Sequence, residues 1–591
     1  MIPIKEIKDN RSIPISRFLQ EFNGLDLNSD FTELNFTHSP DALNVYKDYQ
    51  KGKALIGRPG LKNAFSVAGE VKAHITATIN NKQQTLLWVK NDNVGKIYRL
   101  NANGTTTSIL TNNYSDAVFF SFGNRIYFKN QTTYVYSETD GNGNISAMID
   151  VLTIATIPTT SFNREPMGGG EDFNPVNILQ PKRRNSFVGN GEDTEYYLDV
   201  ETFDSINEVK VNDVVVNNYS TEPSQGKIIF STAPPKPGIR GQDNVVITFT
   251  KATTGYSDRF IQSKILTQYD NRIFFSGNPT YPNAVFNSQR EDPTYLPDIF
   301  YYEDGLDTDP VVDMIEANKG LFVLKGGAGD NVSVYFHQGK IFYENDMKVY
   351  PSTQTKIKTP CKFKGINFNS ELVYISEFGL QGLVADYNSE FRADLRSTFI
   401  LDVLKNATSM TLWKGYLLIA VGKNIYLADS KSRMETASGL EYNWFKWEVP
   451  ETITNMFTIG ENLYVTNTGQ TRVFDNNETK DINANGELVD IIQYWKTFFD
   501  MLEAPNRLKT LNKRGLVIYG ENLEISTKTE PTPSAVYKNY VNLNFNKGYS
   551  VIKLKEKKIL GISFSLKAKK DKRFILHNME YEAFTTRYAK R

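Results

Sequence analysis

Short apolar strands separated by turn residues recur along most of the chain. In each copy, a turn of Asn, Asp, Gly or Lys precedes a run of β-branched and aromatic residues, and another turn follows. The copies are GNRIYFKN at 123, DNRIFFSGN at 270, NKGLFVLKGG at 318, NSELVYISEFG at 369, WKGYLLIAVGKNIYLAD at 413 and GENLYVTNTGQTRVFD at 460, with a looser copy, TLLWVKNDNVGKIYRL, at 85. From 270 onward the spacing is about 44 to 51 residues, which is typical of four-stranded propeller blades.

Several copies contain two strands joined by a tight turn, as in LLIAVGKNIYLAD. Such a hairpin has too few residues to bury an apolar face alone, so it must stack on its neighbours. The alternative is a set of unrelated β-meanders. The pattern therefore predicts an all-β fold, a β-propeller of about six or seven blades.

The repeat is interrupted once and stops before the end of the chain. Between the copies at 123 and 270 lies a stretch rich in VKVNDVVV-like strands, flanked by the Gly-rich runs PMGGGEDFNP and ATTGYSD, which predicts a small β-sandwich inserted into a propeller loop. After about 480 the strands lose the period, which predicts a separate C-terminal β domain. The predicted divisions are an N-terminal arm with first strands (1–65), the first part of the propeller (66–165), the inserted sandwich (166–256), the second part of the propeller (257–480) and a basic C-terminal domain (481–591).

Composition agrees with β structure, and charge separates the two ends of the chain. Aromatic residues make up 13%, while 67 Lys and Arg balance 67 Asp and Glu. Zero net charge argues against a nucleic-acid coat or a polybasic membrane binder. From Pro505 to Arg591, however, 19 basic residues face 7 acidic ones. That excess predicts contact with an acidic protein surface or with a polyanion, the alternative being an ordinary solvated surface.

Residue patterns for catalysis or metal binding are missing from the sequence. The histidines are His38, His74, His337 and His577, and none has the spacing of a zinc site; Cys361 is the single cysteine, so no internal disulfide can form. Phosphate-binding loops, nucleotide-binding glycine motifs and a nucleophile elbow are likewise missing. We expect no enzyme activity, no cofactor and no metal. The N-terminus, MIPIKEIKDN, lacks the apolar core of a signal peptide, and no transmembrane span is expected, so synthesis in a cytoplasm is anticipated.

One stretch, NRIFFSGNPTYPNAVFNSQREDPTYLP at 271, closely resembles a signature of the bacteriophage tail nozzle or packaged-DNA stabilisation proteins, the tail tubular or head–tail connector β-propeller family. Two further regions resemble the opening of that family and the entry to its C-terminal domain, although the family often has a Gly pair where this chain has Gly24 alone. The matching positions considered as family-motif or interface residues are Asn44, Arg58, Pro59, Gly60, Gly277, Pro279, Pro282, Asn283, Asp292, Pro293, Trp495, Arg507 and Lys509.

The resemblance implies a structural virion protein: a ring, expected to be a hexamer, that continues the DNA channel below the portal and adaptor. It would retain packaged DNA and anchor fibres or a tail tip. The arm would tie to a neighbour or to the adaptor, and Tyr281, Phe286 and Tyr295 would cover either their own blade or an adjacent subunit. The candidate basic contact residues are Lys567, Lys569, Lys570, Lys572 and Arg573. The alternative is a receptor-binding or glycan-binding propeller adhesin on the same particle.

Overall fold

The structure is a computed structural model. It describes residues 13–30, 32–65, 67, 69–327, 333–338, 342–344, 347–349, 352–356, 359–385, 391–436, 439–467, 469–505, 507–532, 535–542, 548–554 and 556–588. The first 12 residues of the predicted arm and the last three of the basic terminus lie outside these ranges. The chain forms two compact units: a middle unit of residues 72–103 and 107–360, and a terminal unit of residues 1–71, 104–106 and 361–591.

The described residues form seven four-stranded sheets, here called blades 1 to 7 in chain order, so the fold is an all-β propeller with additional β modules. Blades 1 to 4 belong to the middle unit, except for the first residues of the first and fourth strands of blade 1, and blades 5 to 7 belong to the terminal unit. The strands of blades 1 to 4 are Glu70–Ile79, Lys82–Asn91, Val94–Leu100 and Thr106–Asn113; Val118–Phe122, Arg125–Lys129, Tyr134–Thr139 and Ile145–Asp150; Ile265–Tyr269, Arg272–Ser276, Ala284–Asn287 and Tyr301–Glu303; and Val311–Ala317, Gly320–Lys325, Ser333–Gln338 and Ser352–Lys356. The strands of blades 5 to 7 are Gly365–Phe368, Glu371–Ser376, Gly379–Ala385 and Phe391–Leu395; Ser409–Trp413, Tyr416–Val421, Asn424–Thr436 and Gly439–Glu448; and Asn455–Ile459, Asn462–Asn467, Gln470–Asp475 and Gly60–Asn63.

The sequence repeat corresponds to the first turn and the second strand of each blade. In blade 3 the turn residues Asp270 and Asn271 have φ of 48° and 54°. Both are in the left-handed region that a two-residue type I′ hairpin requires, which is why Asn, Asp and Gly recur there. The following strand, Arg272–Ser276, is buried along its whole length, which explains its apolar composition.

Neighbouring blades of the middle unit share apolar cores. Trp88 of blade 1 packs on Phe128 of blade 2 with ring centroids 4.8 Å apart. Phe275 of blade 3 lies edge-on to Phe260 at 4.8 Å, and Phe260 in turn contacts Tyr134 of blade 2. Val285 of blade 3 and Val323 of blade 4 are both fully buried in one cluster. Each sheet therefore completes its core only against the next, as the short hairpins predicted.

Blade 7 takes its fourth strand from the beginning of the chain. Gly60–Asn63 pairs antiparallel with Gln470–Asp475, with Gly60 opposite Asp475 and Asn63 opposite Arg472. An ion pair between Lys62 and Asp475 crosses this junction. The prediction placed residues 60–63 in the arm and first strands, and the structure shows that they complete the last blade.

The inserted module is a two-sheet sandwich with its own core, in which Phe187, Tyr196, Ile228 and Phe249 are buried. Its first strand begins at Thr159, earlier than the predicted 166, because the Gly-rich run lies inside the module as a turn between two of its strands. The sheets contain Glu171–Asp172, Thr159–Arg164, Lys182–Phe187, Val245–Thr250, Ser205–Val211 and Val214–Val215, and Glu195–Tyr197, Lys227–Phe230 and Tyr219–Glu222. The α-helix Tyr256–Ile261 leads into blade 3.

The C-terminal domain also consists of two main sheets, and the N-terminal segment contributes strands to both. The first contains Val45–Asp48, Ala54–Gly57, Ile575–Tyr588, Arg507–Glu521 and Tyr549–Ile552, with Ile13–Leu19 and Lys557–Ile559 at its sides, and the second contains Ala42–Leu43, Tyr494–Lys496, Ser563–Ala568, Leu523–Lys528 and Lys538–Asn542. Hairpins lie at Lys480–Ile482 with Leu488–Asp490 and at Phe342–Glu344 with Met347–Val349, and 3-10 turns at Val151–Thr153, Pro223–Gln225, Thr398–Ile400 and Val403–Asn406. Over its described strands, the predicted arm pairs with the C-terminal domain of its own chain and with blade 7.

Candidate functional site

The N-terminal motif residues form a buried polar centre around Arg58, which is 1% exposed. Its Nε donates to Asn44 Oδ1 at 2.8 Å and its Nη1 to Asp481 Oδ1 at 2.9 Å. Its Nη2 bonds the second oxygen of Asp481 and donates to the Glu448 carbonyl at 2.6 Å. A bidentate carboxylate and three further acceptors, including the Pro59 carbonyl, compensate for removing the guanidinium from water.

Asn44 and Gly60 fix the backbone around this centre. Asn44 has a left-handed φ of 57°, accepts from the Glu448 amide at 2.7 Å, and donates to the Ile492 carbonyl at 2.8 Å. A Cβ at Gly60 would lie 2.2 Å from the Lys480 carbonyl oxygen, so only glycine fits. Pro59 directly precedes Gly60, and its carbonyl accepts from Arg58 Nη1 at 2.9 Å. These contacts join the early segment to blade 6 and to the entry of the C-terminal domain.

Two of the other motif residues of the C-terminal domain, Trp495 and Lys509, are also internal, and Arg507 is partly buried. Trp495 is fully buried and lies edge-on to Phe22, with ring centroids 5.5 Å apart. Lys509 is fully buried and donates from Nζ to the Leu560 carbonyl. Burial lowers the pKa of Lys509 to about 8, against the opposing field of Asp500. Arg507 begins the long strand that pairs with the C-terminal strand.

In the blade 3 loop, the acidic and proline motif residues brace neighbouring blades. Asp292 accepts from the Thr294 amide at 2.8 Å and from the Thr156 hydroxyl at 2.6 Å, while the Pro293 carbonyl accepts from Tyr134 of blade 2 at 2.9 Å. The Pro282 carbonyl accepts from the Val311 amide of blade 4 at 2.8 Å. The loop therefore connects blade 3 to the blades on both sides.

The remaining residues of this loop shape its turns. Gly277 has a φ of 73°, Asn283 donates to the Gly305 carbonyl at 2.9 Å, and Pro279 is exposed. Of the aromatics, Phe286 and Tyr295 are buried within the chain, and Tyr281 is 38% exposed. Phe286 and Tyr295 therefore pack within their own chain, while contact of this loop with an adjacent subunit stays a prediction.

The predicted basic residues lie at the end of the strand Ser563–Ala568, which contains Lys567, and in the turn that follows it. Lys567, Lys570 and Lys572 are exposed, and Lys569 is half-buried. Arg573 points inward, where burial lowers its pKa and its Nη2 donates to the Glu478 carbonyl at 3.3 Å. Nearby, Lys480 pairs with Asp571 at 2.8 Å and Lys570 approaches Asp490 at 3.8 Å. Two carboxylates thus offset part of the local positive charge.

A cavity of about 1260 Å³ was not predicted from the sequence. It lies beside the first turns of blades 1 to 3 in the middle unit, where Asn80, Asn124 and Asn271 face it together with Arg125 and Arg272. The available signal was the turn dipeptide itself, because the residues that permit a left-handed backbone are also polar. These dipeptides are far apart in sequence and come together only in the fold. The sequence of a single turn does not indicate which other turns will lie beside it.

Within the described ranges, no group of three or more His, Cys, Asp or Glu side chains is arranged to hold a metal ion. Over the same ranges, no helix is long and apolar enough to cross a membrane.

No protein-family model matches the chain, and no curated protein matches its sequence. Similar solved structures include BamB from Moraxella catarrhalis, at 8% identity and a TM-score of 0.32, covering 73% of this chain and 96% of that one. The Pseudomonas aeruginosa periplasmic gluconolactonase PpgL has 9% identity and a TM-score of 0.31 over 66% and 88%. An exo-β-1,3-galactanase from Phanerochaete chrysosporium has 10% identity and a TM-score of 0.21 over 54% and 94%. Likeness at this level carries no information about activity or partners.

Proposed function

We propose that the chain is a structural protein of a bacteriophage tail, a nozzle ring that extends the DNA channel below the portal and adaptor. The observation that carries the proposal is the position of the family-motif residues. Asn44, Arg58, Trp495 and Asp292 lie where segments distant in sequence join. A component under mechanical load from packaged DNA needs such braces, whereas an enzyme needs its matching residues to converge on a substrate.

The fold suits this role physically. Close-packed sheets with buried polar braces deform little, because interiors packed like organic crystals transmit strain instead of absorbing it. A ring would arise by repeating one heterologous contact until it closes, with six copies as the expected number. No enzymatic step is part of the proposal, and fibres or a tail tip would attach to the outer surfaces of the ring.

The basic turn at 567–573 is the proposed contact with the adaptor. Its three exposed lysines fit an acidic protein surface. We favour this partner over DNA phosphate, since a strongly basic channel wall would grip the DNA and slow its ejection.

Imaging the purified chain tests the ring directly. Size-exclusion chromatography with light scattering should give a discrete oligomer, and negative-stain electron microscopy should show closed rings with a central bore. Both measurements should be repeated with the tail adaptor present. A chain that stays monomeric in both conditions contradicts the proposed function.

A further inference from the structure

The turn-side cavity of blades 1 to 3 is a preformed concavity. Gln268 Nε2 donates to the Ser121 carbonyl at 2.6 Å, which joins the first strands of blades 3 and 2. The backbone N–H of Asn80 donates to Asn124 Oδ1 at 2.7 Å, which joins the first turns of blades 1 and 2. Because these cross-links hold the walls, a ligand would not have to order the cavity before binding, and pockets of this kind bind small molecules in other proteins.

Several carboxylates at the cavity make no hydrogen bond within the described part of the chain. The Asp270 carboxylate approaches Arg272 and Arg290 only at 3.9 Å, which is beyond hydrogen-bonding distance. Arg272 is 6% exposed; its Nη1 donates to the Ser288 carbonyl at 3.0 Å, and its Nε is itself buried and has no hydrogen-bond partner. The side chains of Glu291 and Glu316 are exposed at the same cavity. The three carboxylates can therefore accept from a ligand without breaking an existing hydrogen bond.

The charge balance excludes several ligand classes. Five carboxylates line the cavity against two guanidinium groups, so phosphate groups and nucleic acid are repelled. Tyr127 and Tyr269 are nearly buried, at 4% and 9%, so they offer no open aromatic platform on which a nucleobase can stack. A simple polyamine carries only donors, so it would satisfy the carboxylates but offer no acceptor to the Arg125 guanidinium or to the Asn271 carboxamide.

We propose that this cavity is a binding site for an uncharged or amino-substituted oligosaccharide. Each sugar hydroxyl both donates and accepts, which matches a lining of carboxamides, carboxylates and guanidinium groups. The cavity is larger than the usual range of small-ligand sites, about 300–1,000 Å³, and has room for more than one sugar unit. The inference does not depend on the ring, since every lining residue belongs to the middle unit of one chain.

The test screens the full-length chain against an array of defined bacterial surface oligosaccharides and measures the dissociation constant of the best binder by calorimetry. The paired variant Asn271→Gly with Glu291→Gly removes two lining side chains while keeping the left-handed backbone, with φ of 54° and 63°. We expect at least tenfold weaker binding. The matched control is Asn318→Gly, a residue with φ 51° in the corresponding turn of blade 4, which does not line the cavity. It should change binding less than twofold.

Three results would overturn the proposal: no array glycan bound by the folded chain, binding unchanged in the paired variant, or displacement of the glycan by millimolar spermidine or inorganic phosphate. If the cavity is instead filled by a second copy, the paired variant would alter oligomer size without altering glycan binding, which also overturns it. The ring measured by light scattering and the affinity measured by calorimetry are separate readouts, so the failure of one proposal is distinguishable from failure of the other.

Discussion

At the scale of single residues, buried cations are stabilised by backbone carbonyl groups. Lys129 donates to the Ile261 carbonyl at 3.0 Å, and Lys325 donates to that of Asp304 at 2.6 Å. Burial lowers the pKa of Lys129 to about 7 and that of Lys325 to about 8. Such residues brace a core and at the same time make its stability depend on pH.

For Lys129, stability should rise with pH above 7. Between pH 7 and the ordinary lysine pKa of 10.5, the unfolded chain binds a proton that the folded chain does not, so unfolding becomes harder as pH increases, by at most about 1.4 kcal/mol per pH unit. Relative to Lys129→Met, the wild type should gain about 2 kcal/mol between pH 7 and 9. Urea unfolding at several pH values measures this, with exposed Lys264→Met as the control. Parallel pH profiles for wild type and Lys129→Met would contradict it.

The Arg58 centre should be the most sensitive polar site in the terminal unit. Arg58→Ala leaves the Asp481 carboxylate buried without its counter-charge, which typically costs about 3–5 kcal/mol. The double variant Arg58→Met with Asp481→Leu should recover much of that loss. Lys62→Ala removes a half-exposed ion pair in the same region and should cost under about 1 kcal/mol. Chemical denaturation compares the three; equal losses for Arg58→Ala and Lys62→Ala would show that the centre is not stabilising.

For single residues, the sequence indicated which positions are important but did not indicate which residues they contact. The resemblance selected Asn44, Arg58 and Trp495, and all three occupy well-defined internal sites. Asp481 was not selected, because it lies 423 residues from Arg58 and no local pattern marks it as the counter-charge. The cavity was missed for the same reason, since its lining comes from turns about 44 to 190 residues apart along the chain.

At the scale of elements, the strands that follow a tight turn are the ones that can be predicted from the sequence. The second strand of every blade follows a tight turn with a restricted set of residues, so its start is visible in the sequence. Outer strands are harder to predict: Tyr301–Glu303 has three residues, two of them exposed, and no alternation of polar and apolar positions to detect. The insert began earlier than predicted because glycines mark turns inside modules as readily as linkers between them.

Lys319 provides a test of how the left-handed backbone of a blade turn affects the stability of the chain. It occupies the second turn position of blade 4 with φ 62°, where a side chain is strained. Lys319→Gly should therefore stabilise the chain by about 0.5–1 kcal/mol, and Lys319→Val should destabilise it. The control is Lys423→Gly, in the Gly422–Lys423 turn of blade 6, because Lys423 does not have a left-handed φ. This substitution should be neutral or destabilising. Thermal unfolding midpoints distinguish these outcomes, and a gain for Lys423→Gly equal to that for Lys319→Gly would refute the explanation.

At the scale of the whole molecule, the excess of basic residues in the C-terminal domain leads to a prediction about assembly with the adaptor. Lys567→Glu, Lys570→Glu and Lys572→Glu together reverse the exposed positive turn. If this turn meets the adaptor, the triple variant should supply at least tenfold fewer tailed particles when it complements a phage lacking the chain. Reversing Lys236, Lys264 and Lys414, which are exposed elsewhere, is the matched control. Normal particle yield from the triple variant would exclude the adaptor role.

The last blade also sets an order of events during synthesis. Its fourth strand, Gly60–Asn63, leaves the ribosome early, but its partner at Gln470–Asp475 appears about 400 residues later. For most of translation, which at roughly 5–20 residues per second lasts about 30 to 120 seconds, the early strand has no native neighbour. Nascent chains truncated before residue 470 should therefore remain protease-sensitive at their N-terminal end, and chaperone protection would matter most in that interval.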